Sequence, residues 1–104
     1  MKLELIYDVG CPNIPKAREI IEIAIARLDL DAEWIEWDRA SGNSPAYVLQ
    51  YGSPTILVDG KDIVPQHAPS GNSCRIYRDA NGLVIKAPPL ESLIRALGTS
   101  ASNI

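Results

Sequence analysis

The feature that most constrains this chain is a change of hydrophobic period across one short loop. Residues 2–7, KLELIY, set Leu3, Leu5 and Tyr7 against Lys2, Glu4 and Ile6, which is close to period two and reads as a strand. Asp8-Val9-Gly10 ends it. From Ile14 the apolar residues fall at Ile14, Ala17, Ile21, Ala24 and Leu28, three or four apart, with Ile20 and Ile25 widening the stripe. That spacing predicts an amphipathic helix of about four turns over residues 13–28. Pro12 and Pro15 lie where its first turn would be, and a missing N–H costs little there because those donors have no intrahelical acceptor. A strand that passes directly into an amphipathic helix needs a sheet with a helix packed on its face.

The remaining segments continue the alternation. Residues 32–38, AEWIEWD, read as a second strand, with Glu33 and Glu36 marking a solvated face or an edge. After the polar RASGN loop, Ser44-Pro45 predicts a helix opening, serine as N-cap and proline at the first helical position, with a short helix to about Tyr51 closed by Gly52. Thr55 to Val58 is a third strand, followed by an Asp59-Gly60 turn signal. PQHAPSGNS is a long loop, and CRIYRD and LVIKA are two further strand candidates around Asn81-Gly82. Leu90, Leu93, Ile94 and Leu97 make a last helix after Pro88-Pro89, stopped by Gly98. The expected fold class is α/β, with a mixed four- to five-stranded sheet flanked by helices. At 104 residues the chain can bury one core but not two, so residues 1–98 form a single domain and 99–104 a frayed tail.

Composition narrows the function classes. Apolar residues make up 46% and charged residues 22%, the balance of a packed globular domain. A net charge of −3 with both signs interspersed leaves no basic stripe to neutralise phosphates, which argues against a nucleic-acid partner. The richest apolar run, IIEIAIARL, is broken by Glu22 and Arg27 and falls short of the roughly 18 residues that span a bilayer. MKLELIYD enters a strand at once without a secretory h-region, so a cytoplasmic protein with no membrane partner is expected. In that compartment two cysteines are reduced, catalytic or metal-binding more often than a permanent staple.

Cys11 is the first chemical candidate. A helix N-terminus stabilises a thiolate with its dipole and free N–H groups, taking the pKa from about 8.5 to between about 3.5 and 7.5. Its neighbours Gly10, Pro12 and Asn13 suggest a loop and favour a reactive thiol, against the alternative of a small buried hydrophobe. Ser53-Pro54-Thr55 is the second candidate, a proline heading a β-branched strand run. Backbone energetics alone favour a trans Ser53–Pro54 bond, since only about 5–6% of X-Pro bonds are cis.

Cys-Pro-Asn-Ile after a first strand, with YGSPTILVDG about forty residues later, resembles the thioredoxin-like superfamily, in its compact glutaredoxin-like form. The similarity extends to small bacterial members that pair a CPN start with a later SPTILVDG and a CRIY-like segment, some of them labelled for mercury chemistry. It spans roughly residues 2–98 and implies a βαβαββα order, Cys11 as nucleophile and Pro54 as a cis-proline lining the site. Ser53 would offer its backbone to an extended peptide or to glutathione, with Thr55, Pro12 and Asn13 as neighbouring substrate-binding candidates. The departures are specific: Ile14 replaces the second thiol of the CxxC motif, and Gly10 stands where an aromatic residue often precedes the thiol. Dithiol exchange within the motif is therefore impossible. The implied function is monothiol thiol–disulfide exchange with a protein disulfide or glutathione, glutathione serving as co-substrate and no resident cofactor. The alternatives are a non-catalytic binding module on the same scaffold and a thiol binder of soft mercury or copper ions.

Cys74 is the candidate resolving thiol. If residues 55–58 and 74–78 pair as a terminal hairpin, Cys74 lies on the order of 15 Å from Cys11 at about 3.3 Å per residue. A disulfide needs Cα atoms within about 7 Å, so pairing requires the 62–73 loop to carry Cys74 around the sheet, or LVIKA to be the last strand. His67 reads as a loop histidine; with Cys11 and Cys74 it makes only a loose soft-metal set, and no metal site is assigned. Glu33, Glu36 and Asp38 read as a solvated strand edge, not an acid–base pair.

Overall fold

The computed structural model describes residues 2–31, 33–64, 77–79, 81–85 and 87–102. Strands β1 (Leu3–Tyr7), β2 (Ile35–Asp38), β3 (Thr55–Val58) and β4 (Lys61–Asp62) form a mixed sheet in the order β2-β1-β3-β4. β1 runs parallel to β2 and antiparallel to β3, with Ile6 opposite Thr55. Helix α1 (Ile14–Arg27) is the crossover between the two parallel strands, and α2 (Leu90–Ser102) closes the described chain. The chain is thus a small α/β protein with a mixed four-stranded sheet and two helices, and among the described residues no helix is long and apolar enough to cross a membrane.

The period of β1 sorts its side chains onto two buried faces. Leu3 and Leu5 join Ile56 and Val58 under Ala17, Ile20, Ile21 and Ala24 of α1 and Leu93 and Leu97 of α2. Glu4 and Ile6 face the other way, where Ile6 packs with Val48 and Leu57, flanked by Trp37, Tyr47 and Tyr51. The central strand is therefore covered on both sides, whereas β2 at the edge keeps only partial burial, as its glutamates suggest. Glu36 there accepts from Arg18 at 2.8 Å and from Trp34 Nε1 at 2.9 Å.

Four local expectations are corrected. The hairpin partner of β3 is Lys61–Asp62, and the described Tyr77–Arg78 does not pair with it: Asp59 (φ 52°) and Gly60 (φ 83°) form a left-handed two-residue turn that sets Val58 opposite Lys61. Closing so short a loop costs far less chain entropy than closing one of fifteen or so residues. Tyr77–Arg78 (β5) and Val84–Ile85 (β6) pair with each other in a separate two-stranded ribbon. The helix expected after Ser44 is a 3-10 segment, Ala46–Gln50; Pro45 takes the cap position, and Ser44 Oγ donates to Asp38 O at 2.7 Å instead of capping. Finally, α2 runs through Gly98 to Ser102, so the tail does not begin at 99. Gly98 lacks the left-handed φ that a glycine stop requires, and glycine inside a helix costs only about 1 kcal/mol.

Candidate functional site

Cys11 lies in the loop between β1 and α1, and hydrogen bonds through Asp8 fix that loop. The Cys11 amide donates to Asp8 O at 3.0 Å, and the Asp8 amide donates to Ser53 Oγ at 2.9 Å. Asp8 thus ties the cysteine loop to the segment that enters β3. Its carboxylate accepts from Arg39 Nη1 at 2.8 and 3.0 Å, and the Arg39 amide donates to Tyr7 O at 2.8 Å. Gly10, at φ 93°, supplies the left-handed backbone by which the loop turns toward the helix. Three segments distant in sequence, 7–11, 38–39 and 53–55, meet here because β1 is flanked by β2 and β3.

The helix begins at Ile14 with Asn13 as its cap, so Cys11 stands two residues before the cap. The Asn13 side chain makes no capping bond, and Ile14 N approaches Cys11 O at 3.5 Å. Cys11 keeps 7% of its surface exposed and belongs to neither apolar cluster, whereas Pro12 beside it is exposed and Val9 is 74% exposed. The thiol is recessed under a loop that carries an apolar rim.

The Ser53–Pro54 bond is cis. Ser53, Pro54 and Thr55 are buried; Thr55 Oγ1 donates to Gly52 O at 2.7 Å, and the Tyr77 hydroxyl donates to Pro54 O. Asn13 is also buried, which leaves Pro12 as the exposed member of the substrate-binding candidates. Cys74 and His67 lie outside the described residues, so the resolving-thiol and soft-metal readings are carried by residues the structure does not describe. Among the described residues no group of three histidine, cysteine or carboxylate side chains is placed to hold a metal ion.

The sequence marks Asp8 only as the residue that ends the first strand, and it marks neither Arg39 nor Tyr77. No local pattern marks them, since the contacts that matter join residues 31, 45 and 23 positions apart. The sequence also leaves unmarked a buried carboxylate on the other sheet face. Glu4, 1% exposed, accepts from Trp37 Nε1 at 2.7 Å and from the Tyr47 hydroxyl, and that bond pushes the Tyr47 pKa up to about 12. Comparison of the chain with protein-family models, curated proteins and solved structures finds no match, so the geometry of the Cys11 loop is what a functional reading rests on.

Proposed function

We propose that the protein is a monothiol thioredoxin-like thiol–disulfide exchange protein with Cys11 as its nucleophile. The observation that carries the reading is the pair of bonds through Asp8, which hold the loop bearing the thiol against the Ser53–Pro54 segment at the head of β3. The strand order and the cysteine ahead of α1 support the same reading. In the reaction the Cys11 thiolate attacks the glutathione sulfur of a glutathionylated protein thiol, forming a Cys11–glutathione mixed disulfide and releasing the protein thiolate. A glutathione thiolate then attacks the glutathione sulfur of the mixed disulfide, regenerating the Cys11 thiolate and releasing glutathione disulfide. Ile14 cannot resolve the intermediate, so the external thiol is required.

The recessed position of Cys11 favours a second reading, a binding module that keeps the scaffold without the chemistry. Alkylation followed by mass spectrometry across pH separates them. The exchange reading expects Cys11 to titrate below about 8.5 and to form a glutathione adduct that Cys11→Ser abolishes and Cys74→Ser does not. A Cys11 pKa at or above that value, with no adduct in the folded protein, decides for the binding module.

A further inference from the structure

At the opposite end of β1 from Cys11, Lys2, Glu4, Tyr47, Tyr51, Asp59 and Gly60 line an open cleft of about 360 Å³. That is the low end of the range of small-molecule sites. A buried glutamate is costly unless paired, and for stability alone an apolar residue would serve at least as well. Glu4 is paired in an uneven way: Trp37 Nε1 and the Tyr47 hydroxyl both donate to Oε2, while Oε1 has only the Lys2 ammonium at 3.9 Å among the described residues. The Lys2 side chain is 57% exposed and free to swing into solvent. The lining holds the Glu4 and Asp59 carboxylates beside the Lys2 ammonium, and the Tyr47 hydroxyl is already spent as a donor to Glu4. Tyr47 and Tyr51 line the cleft together with Glu4, and tyrosine ring faces attract a cation within about 6 Å.

We propose that this cleft binds a small organic cation, a primary ammonium on an apolar or aromatic body, whose ammonium displaces Lys2 Nζ from Glu4 Oε1 while its body lies against Tyr47 and Tyr51. The site is independent of Cys11 and of any exchange chemistry there. Titration of the full chain with phenethylammonium, followed by proton–nitrogen correlation spectra, tests it. The Trp37 indole resonance, which reports on Glu4, and the amides of Lys2, Glu4, Tyr47 and Tyr51 should shift saturably, with half-saturation below about 10 mM. Phenethyl alcohol should bind at least about tenfold more weakly, as expected when a charge-assisted hydrogen bond is lost, and phenylpropionate should not bind. Lys2→Met should tighten binding about threefold or more by removing the competing ammonium, and Glu4→Gln should weaken it about tenfold or more. Lys2→Met changes an exposed side chain and keeps the test decisive if Glu4→Gln fails to fold. Equal binding of the alcohol, tighter binding of phenylpropionate, weaker binding by Lys2→Met, or no saturable shift of the Trp37 indole overturns the proposal.

Discussion

Replacing Arg39 with methionine removes the cation that holds Asp8 while keeping most of the buried stem. The Arg39 side chain is 9% exposed and that of Asp8 31%, with contacts of 2.8 and 3.0 Å from one guanidinium nitrogen to both carboxylate oxygens. Unit charges at about 4 Å attract by about 4 kcal/mol at an effective dielectric of 20, and desolvating the guanidinium offsets part of that. A hydrogen bond to a charged group retains about 1.5–3 kcal/mol net, against about 0.2–1 kcal/mol for an exposed pair. We therefore expect a coupling energy of about 1.5–3 kcal/mol in a double-mutant cycle of Arg39→Met and Asp8→Ala, read by urea denaturation. Because Asp8 also anchors the Cys11 amide and the Ser53 hydroxyl, Arg39→Met should make Cys11 alkylate faster under native conditions. A coupling below about 0.5 kcal/mol would place the pair with ordinary surface contacts and refute the anchoring role. Unchanged alkylation despite a large coupling would refute the link from Asp8 to the thiol.

Tyr47 binds its proton more tightly folded, up to about 12 against the ordinary 10, because it donates to Glu4. Its contribution is therefore complete below pH 10 and lost as pH rises from about 10 to 12, and Tyr47→Phe should flatten that part of the stability profile measured by urea titration. The Arg18 hydrogen bond holds Glu36 below its ordinary 4.5, so its stabilisation is present above that value and fades as pH falls further. Glu36→Gln should remove this acid-side slope, worth about 0.5 kcal/mol because both partners are partly exposed, and an unchanged slope would contradict the assignment. Gly60→Ala forces a Cβ into a left-handed turn position and should cost about 1 kcal/mol, a fall in Tm of about 4–8 °C, whereas an unchanged Tm would show that the turn does not set the β3–β4 register.

Hydrophobic period determined that residues 3–7 form a strand and that 14–27 and the segment around Leu93 and Leu97 form helices packed on it, and a β-branched run before a turn signal marked 55–58 as a further strand. Those elements were legible because each declares its buried face within a few residues of itself. The loop position of Cys11 was legible in its neighbours Gly10, Pro12 and Asn13, the cis Ser53–Pro54 bond was expected from resemblance alone, and Ile14 shows directly that no second thiol stands three residues on. What only the tertiary structure decided is which polar residues meet. Glu4 reads in the chain as the outward half of a two-period strand, yet burial of both faces of β1 places it at 1% exposure among Trp37, Tyr47 and a cleft. Arg39 reads as a loop residue, yet the parallel pairing of β2 with β1 delivers its guanidinium to Asp8. The division has one physical cause: apolar burial is averaged over a whole face and survives as a periodic signal, whereas a hydrogen bond joins two particular atoms whose approach is set by strand order and register.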